Sequence, residues 1–167
     1  VKGSKALVAA CVFPVAEGME INTHSKKAYD SRRRTLELIL SNHRMECLTC
    51  VRNQSCELQA LALEYGIETV RFGTPKEMLP DMESSTAHLV RDNSKCILCR
   101  RCVAVCKSLQ HVAVLGPNDR GFKTHIGCEF DRELGEVGCT SCGQCITVCP
   151  TGALSEVDCT GRVWEAL

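Results

Sequence analysis

The apolar positions of this chain follow a helical period in two short segments. Between residues 28 and 41 the apolar side chains fall on one face and arginines on the other, which predicts an amphipathic helix. Residues 56–65 repeat the pattern, and Gly66 suits the end of that second helix. The apolar residues of the two faces are Leu36, Ile39 and Leu40, followed by Leu58, Leu61, Ala62 and Tyr65.

The rest of the pattern predicts extended segments and turns. Residues 1–24 are predicted to be extended chain, with a strand over the apolar run at 6–10. Residues 74–90 are rich in proline, glycine and serine and predict a linker. The sequence Gly-Pro-Asn-Asp-Arg-Gly at 116–121 predicts a turn that joins two short strands, and residues 157–167 begin another helix.

Composition indicates a chain that depends on bound metal. Only 4% of its 167 residues are aromatic, while 14 are cysteine, so the hydrophobic core is thin. The sequence shows no secretory signal and no long apolar run, which predicts reduced thiols, a cytoplasmic location and no membrane span. The one basic run, Arg32 to Arg34, is short, lacks interleaved aromatics and is interpreted as a solvated helix face, so nucleic acid is not an expected partner.

Two cysteine runs near the C-terminus share the spacing C-x2-C-x2-C-x3-C, which is that of a bacterial two-cluster ferredoxin. In that arrangement the first three thiolates reach one cluster and the fourth ligates the other. Zinc sites use paired C-x2-C units, and disulfides need an oxidising compartment, so neither explains the repeat well. The predicted ligand sets are Cys96, Cys99, Cys102 and Cys149 for one [4Fe-4S] cluster, and Cys139, Cys142, Cys145 and Cys106 for the other.

The two runs differ after their last cysteine. Pro150 follows Cys149 and cannot continue a helix, whereas Lys107 follows Cys106. The difference weakens a turn in the first run but removes no ligand.

A third candidate site lies between the two predicted helices. His43, Cys47, Cys50 and Cys56 follow the spacing H-x3-C-x2-C-x5-C, which can surround one more [4Fe-4S] cluster. Zinc bound by the same histidine and three cysteines is the rival interpretation, and the neighbouring ferredoxin motifs make it the weaker one. A neutral imidazole in place of a thiolate makes the site less anionic and is expected to raise its potential.

With these motifs in order, the chain resembles the N-terminal iron–sulfur, electron-input region of [FeFe]-hydrogenases and of NAD(P)-linked hydrogenase or transhydrogenase subunits. The large iron–sulfur subunit of complex I and NAD-linked formate dehydrogenases are similar over parts of it. The closest stretches are Cys47-Leu48-Thr49-Cys50, Cys56-Glu57-Leu58-Gln59, Gly121-Phe122, Cys142-Gly143-Gln144-Cys145 and Val163-Trp164-Glu165-Ala166-Leu167.

The resemblance implies an α+β fold built from several units in series. In such proteins a plant-type [2Fe-2S] domain comes first, and Cys11 corresponds to its last ligand. The other ligands would precede Val1, so an additional [2Fe-2S] cluster is expected only if the N-terminal sequence is present. The expected units are the end of that domain (1–24), a small helical [4Fe-4S] domain with the histidine and three cysteines (25–73), the linker (74–90), a two-[4Fe-4S] ferredoxin-like domain (91–156) and the start of a following helix or domain (157–167).

The resemblance also implies an electron relay between a flavin- and NAD(P)-binding partner subunit and another redox site, such as ferredoxin, in a multi-subunit oxidoreductase. Electron bifurcation is one form of that function. The alternative is the N-terminal part of a hydrogenase whose catalytic domain lies outside this chain, and a third interpretation makes the metals structural staples only. No catalytic residues are predicted, because the sequence holds no Ser–His–Asp arrangement, phosphate loop or close carboxylate pair. Cys128 and Cys159 match no ligand spacing and are interpreted as free thiols.

Overall fold

The computed structural model describes residues 1–73 and 82–167, and its described part mixes helices with short strands. The helices are α1 (Lys26–Ser41), α2 (Glu57–Glu64), α3 (Arg101–Ala104), α4 (Gln144–Val148) and α5 (Thr160–Ala166). The strands are β1 (Leu89–Arg91), β2 (Gly116–Asn118), β3 (His125–Gly127) and β4 (Leu154–Glu156). Helices α1 and α2 lie within two residues of where the periodicity predicts them, and α5 lies inside the predicted helical stretch 157–167.

Helices α1 and α2 form a small helical unit. The Ser25 side chain caps α1 by accepting a hydrogen bond from the backbone N–H of Ala28 at 3.2 Å. One face of each helix is buried, because the apolar positions recur every three or four residues. The buried core of this unit consists of Leu36, Leu40, Leu58 and Tyr65.

A buried carboxylate joins α1 to the chain that follows α2. Glu37 is fully buried, and its oxygens lie 3.5 Å from Arg33 Nε and 2.7 Å from Arg71 Nε. Such a carboxylate is tolerated only because guanidinium groups offset its desolvation. All three side chains of residues 32–34 are exposed, which agrees with their interpretation as a solvated face, and Arg33 also pairs with Glu37 on the same helix.

The cysteine-rich half is built on two small antiparallel sheets. In one, β1 pairs with β4, so that Leu89 lies opposite Glu156 and Arg91 opposite Leu154. In the other, β2 pairs with β3, so the predicted pair of short strands is present. The predicted turn at 116–121 is displaced, however, because β2 occupies Gly116–Asn118 and the connection runs over 119–124. The buried core between these sheets and the short helices consists of Leu89, Cys102, Leu115, Ile126, Cys128, Leu134 and Leu154.

The N-terminal segment differs from its prediction. Residues 6–10 form turns and irregular chain and not the expected strand. Within the described residues no strand lies beside them to satisfy their backbone groups, and most of their side chains are exposed. The segment closes on itself through the Lys2–Glu20 ion pair at 2.8 Å, and Lys27 Nζ donates to the carbonyl of Lys5 at 2.8 Å. A [2Fe-2S] domain preceding the helical unit is thus not shown.

The predicted linker, 74–90, lies partly outside the described residues, because 74–81 are not described. Of its remainder, Glu83 forms a β-bridge with Arg91, and β1 begins at Leu89. The second half of this stretch therefore belongs to the edge of the cysteine-rich half. Across 1–73 and 82–167, none of the helices has the length and apolar character needed to cross a membrane.

Candidate iron–sulfur sites

The two cysteine repeats have the same backbone conformation. We call residues 96–106 the first cysteine loop and residues 139–149 the second cysteine loop. In the first, Leu98 and Arg100 have φ values of 55° and 61°; in the second, Ser141 and Gly143 have 53° and 72°. All four lie in the left-handed region, which reverses the chain direction within a few residues. Each loop therefore coils tightly between its first and third cysteines, and the helix that follows carries the third.

Each loop also aims a backbone N–H group at its first sulfur. The N–H of Leu98 donates to Cys96 Sγ at 3.4 Å, and the N–H of Ser141 donates to Cys139 Sγ at 3.5 Å. Donors that point at a thiolate stabilise its negative charge. The equivalence of these two bonds shows that the repeated spacing produces repeated electrostatics as well as repeated geometry.

The fourth cysteines lie in different local structures. Cys106 lies in a π-helical turn, Val105–Leu109, which extends α3. Cys149 instead ends α4 in an extended conformation, and Pro150 follows it. The reason is the residue after the cysteine, since proline cannot donate a helical hydrogen bond and lysine can.

Two cavities lie against these loops, and cysteines from both loops line each of them. We call them the first cavity and the second cavity. The cysteines that line the first cavity are Cys96, Cys99, Cys102 and Cys149. The cysteines that line the second cavity are Cys139, Cys142, Cys145 and Cys106. The structure thus brings together the same two sets of four that the spacing predicts, each with its fourth member from the opposite loop.

One buried thiol at each cavity is hard to ionise as long as nothing offsets its charge. Burial, together with the neighbouring Cys96 and Cys149, raises the pKa of Cys102 to about 12. Burial likewise raises the pKa of Cys145 to about 11. Because only the thiolate binds metal, these positions need a cationic partner to hold their charged form. Four converging sulfurs fit an iron–sulfur group in both charge and chemistry.

The third candidate site lies between the two helices of the helical unit. We call residues 43–56 the histidine–cysteine segment. His43 follows α1, and Cys56 directly precedes α2. Between them, Cys47 begins a single helical turn, Cys47–Thr49, and Cys50 directly follows it. Cys47 is exposed, and Cys50 and Cys56 are half-buried. Helix ends position all four residues, because the segment spans the connection from one helix to the next.

His43 has the properties of a neutral ligand. Burial lowers the pKa of His43 below its ordinary 6.5, and the positive charge of Lys95 lowers it further. Its Nδ1 atom is buried, and no described residue forms a hydrogen bond with it. A neutral imidazole with an unused ring nitrogen can bind a metal, so His43 fits the predicted cluster.

Single-ion coordination is a different geometry from the one these residues show. Within 1–73 and 82–167, no group of three or more histidine, cysteine or acidic side chains is close enough to hold one metal ion. Zinc needs all of its donors about 2.0–2.3 Å from one point. A four-iron cube is wider than one ion, so its four ligands need not converge on one point.

The histidine–cysteine segment packs directly against the end of the second cysteine loop. A Cβ atom built on Gly152 would lie 2.5 Å from Cys50 Sγ. The N–H of Glu57 donates to the carbonyl of Pro150 at 3.1 Å. The absence of a side chain at Gly152 therefore lets the histidine–cysteine segment approach the residues that follow Cys149.

Two arginines connect the same two units. Arg52 Nη2 donates to the carbonyl of Ile146 in α4 at 2.9 Å. Arg101, the first residue of α3, forms a bidentate pair with Glu57 at 2.7 and 2.9 Å. The helical unit is thereby attached to both short helices that follow the cysteine loops.

Three cysteines lie outside these groups. Cys11 is exposed in the N-terminal segment. Cys128 is buried in the core, with its Sγ 3.9 Å from Arg91 Nη1. Cys159 is half-buried and accepts a hydrogen bond from Arg162 Nη2 at 2.8 Å.

Sequence reasoning missed Arg91, which lines both cavities. Its side chain is only 8% exposed. The available signal was its place two residues after Leu89, on the buried face of β1.

Comparison with known families agrees with these sites. Residues 32–71 match the NADH-ubiquinone oxidoreductase-G iron-sulfur binding region. Residues 95–153 match the 4Fe-4S dicluster domain. The first match includes the histidine–cysteine segment and the second includes both cysteine loops, so the chain contains 4Fe-4S binding domains and a ferredoxin-like dicluster unit.

Several curated proteins are similar along nearly the whole chain. The NADP-reducing hydrogenase subunit HndD of Solidesulfovibrio fructosivorans is 40% identical over 167 residues, which is 100% of this chain and 28% of that protein. The G 2 subunit of NADH-quinone oxidoreductase from Rhizobium meliloti (strain 1021) is 32% identical over 92% of this chain and 18% of its own length. The chain thus spans less than a third of these relatives.

A solved structure shares the fold. The crystal structure of an NAD+-reducing [NiFe]-hydrogenase in the H2-reduced state superposes with a TM-score of 0.82 and 26% identity. The superposition covers 89% of this chain and 63% of that one. The resemblance predicted from the cysteine motifs is confirmed by these similarities.

Proposed function

We propose that this chain, an iron–sulfur electron-transfer region related to NAD(P)-linked hydrogenase subunits and complex I G subunits, relays single electrons through three [4Fe-4S] clusters. The observation that carries the proposal is the pair of cavities, each lined by three cysteines of one loop and the fourth of the other. That crossed arrangement holds two metal groups next to each other, as a relay requires.

The proposed ligand sets follow the cavities and the spacing of the histidine–cysteine segment. Three sets of four are proposed: His43, Cys47, Cys50 and Cys56; Cys96, Cys99, Cys102 and Cys149; Cys139, Cys142, Cys145 and Cys106. A fourth group, a [2Fe-2S] cluster with Cys11 as one ligand, is proposed only for a protein in which further sequence precedes Val1. When bound, such clusters accept and release one electron at a time.

The chain's own contribution is to hold, shield and tune these groups. The left-handed turns keep three thiolates of each loop at one cavity, and the N–H groups of Leu98 and Ser141 offset negative charge on Cys96 and Cys139. Burial of Cys102 shields its sulfur from water. At the third site, the neutral imidazole of the ligand set reduces its negative charge and raises the expected potential.

The contacts between the two units support a relay order. Cys50 lies against Gly152, three residues after Cys149, which lines the first cavity. The first cavity in turn shares Arg91 and Leu154 with the second cavity. We therefore place the first cavity between the histidine–cysteine segment and the second cavity along the electron path.

The partners we propose are a flavin- and NAD(P)-binding subunit and a second redox site such as ferredoxin, in a cytoplasmic multi-subunit complex that in some forms bifurcates electrons. Support comes from the relatives, whose names describe NADP-reducing, NADH-quinone and NAD+-reducing enzymes.

A second candidate function is the electron-input part of a hydrogenase catalytic subunit. It is favoured by the 40% identity over the whole chain with an NADP-reducing hydrogenase subunit that is more than three times longer. Hydrogen-dependent reduction of the clusters in the purified complex would support it. If NAD(P)H reduces them and hydrogen does not, the relay subunit is the correct assignment.

The test is anaerobic iron and sulfide analysis of the purified protein combined with an EPR redox titration. We expect about twelve iron and twelve sulfide per chain and three separable reduced signals. Protein that is folded but colourless and free of iron would overturn the proposal, and about three zinc per chain would favour structural metal sites instead.

A further inference from the structure

One arginine lies between the two cavities of the cysteine-rich half. Arg91, the last residue of β1, lines the first cavity and also the second. Its cross-strand partner on β4, Leu154, does the same. These two residues are common to both cavity walls, and Arg91 carries the charge. Arg100 lines only the first cavity and is exposed, and His88 lines only the second.

The guanidinium group of Arg91 is buried with incomplete pairing. Its Nη2 atom lies 3.1 Å from Glu83 Oε2, in an ion pair whose side chains are 8% and 15% exposed. The alignment of that contact is not that of a hydrogen bond, and Oε2 is left without one among the described residues. The Nε–H group of Arg91 also has no described acceptor. A buried donor without an acceptor is costly, so this position calls for a reason other than stability.

The carboxylate of Glu83 is held in place independently of the Arg91 guanidinium group. Its Oε1 atom accepts hydrogen bonds from the backbone N–H of Leu134 at 3.1 Å and from the Ser85 hydroxyl. Its backbone pairs with that of Arg91 in both directions at 2.8 Å. Because a buried ion pair is often no more stable than a hydrophobic pair, the position of Arg91 at the wall of both cavities points to an electrostatic role.

We propose that Arg91 is a positioning residue that sets the reduction potentials of both dicluster sites together, with Glu83 holding and partly offsetting its charge. The inference rests on the proposed function, since it needs metal groups in both cavities. Reduction adds negative charge to a cavity, and a buried cation beside it stabilises that charge strongly because little water screens it. The unused Nε–H is a donor that finds an acceptor when sulfur-rich anions fill the cavities.

The test compares four variants of the full chain, purified anaerobically: Arg91→Gln, Arg91→Lys, Glu83→Gln and the double variant Arg91→Gln/Glu83→Gln. Iron and sulfide are quantified first, and both dicluster midpoint potentials are then measured by EPR redox titration. Arg34→Gln is the matched control, because Arg34 is exposed on α1 and lines neither cavity.

We expect Arg91→Gln to lower both midpoints by about 59 mV, the one-electron equivalent of a tenfold change in the reduction equilibrium. Arg91→Lys should restore most of that change, and Arg34→Gln should cause none. Glu83→Gln should move both midpoints upward, because it removes the offsetting negative charge while its amide oxygen still accepts from Leu134. The double variant should lie between the two single ones.

Unchanged potentials in a fully loaded Arg91→Gln protein would overturn the inference, as would a shift equal to that of Arg34→Gln. If Arg91→Gln fails to fold, Glu83→Gln decides alone, and midpoints that do not rise would overturn it. Failure of the proposed function looks different, since wild-type protein would then contain no dicluster iron at all.

Discussion

The two cysteine loops share a spacing, a pair of left-handed residues and an N–H···S bond, yet they end in different structures. The first continues as a π-helical turn through Lys107, and the second stops at Pro150. As a result, the residue three positions after the fourth cysteine is Leu109, 71% exposed, in one loop and buried Gly152 in the other.

That single difference decides what each loop contacts. Gly152 allows the histidine–cysteine segment to approach Cys149, whereas the π-helical turn at Leu109 stays at the surface. The comparison teaches that spacing specifies which sulfurs converge, while the residue after the last sulfur specifies which neighbour can come close.

The largest effect is expected when a cysteine of one of the crossed ligand sets is removed. Removal of the fourth cysteine of one loop should empty the cavity of the other, because each cavity takes its last cysteine from the opposite loop. We expect Cys106→Ala and Cys142→Ala to lose one and the same EPR signal and about four iron per chain.

The matched pair is Cys149→Ala with Cys99→Ala, which should lose the other dicluster signal. EPR spectra of the four reduced proteins, with iron analysis, decide the matter. If Cys106→Ala instead loses the signal that Cys99→Ala loses, each loop binds its own four cysteines and the crossed assignment is wrong.

The close approach at Gly152 predicts the next largest effect. Gly152→Ala would place a Cβ atom 2.5 Å from Cys50 Sγ. A sulfur that is bound to metal cannot move away to relieve that clash. We expect a loss of about 1–3 kcal/mol in unfolding free energy and a weakened EPR signal from the histidine–cysteine segment, with both dicluster signals retained.

Gly138→Ala is the control for that substitution, because no heavy atom lies within 4 Å of its Cβ position and it has no positive φ. Anaerobic thermal unfolding and EPR measure the outcome. A Gly152→Ala protein that behaves like Gly138→Ala would show that the two units do not touch there.

The left-handed residues predict opposite effects in the two loops. Gly143→Ala should destabilise the protein by about 1 kcal/mol, because any side chain is strained at φ 72°. Arg100→Gly relieves the same strain in the first loop. Glycine also gives the unfolded chain more conformational entropy, which costs about 0.4–1 kcal/mol of stability and offsets part of that gain. We expect its unfolding temperature to stay level or rise, and a fall as large as that of Gly143→Ala would contradict the equivalence of the loops.

The Glu57–Arg101 pair predicts the smallest effect, and one that depends on pH. A double-mutant cycle of Glu57→Gln and Arg101→Gln should give a coupling of about 0.2–1 kcal/mol at pH 7 and low salt, because both side chains are largely exposed. The hydrogen bond from Arg101 lowers the pKa of Glu57 below its ordinary 4.5. The coupling is therefore present above about pH 4.5 and disappears as pH falls through the lowered value.

The coupling energy is measured from unfolding free energies between pH 7 and pH 4. The same measurement in 1 M salt should give a smaller coupling, because salt at that concentration screens charges beyond about 3 Å. A coupling that grows as the pH falls would show that the pair is not an ion pair of this kind.

Much of the candidate site was predictable from residue spacing. Leu98 and Ser141, both left-handed, each lie between the first and second cysteines of their loop. Local chain geometry therefore already limits which sulfurs can converge. The positions of α1 and α2 were also predictable to within two residues, because their apolar residues recur at helical intervals.

Residues whose role depends on distant partners were not predictable. The apolar run at 6–10 looks like a strand, but a strand needs a neighbour for its backbone, and the described chain offers none. The place of Arg91 between the two cavities was not predictable, because it depends on the pairing of β1 with β4, more than sixty residues away.

By itself, the sequence determined which three cysteines of each loop lie at one cavity and where the two helices around His43 form, since each depends on residues only a few positions apart. Only the tertiary structure decided that a buried arginine lies between the two cavities and that Cys50 lies against Gly152. Those contacts join segments far apart in the chain, and their geometry follows from how the β1–β4 pair and the helical unit pack, which no local pattern of residues specifies.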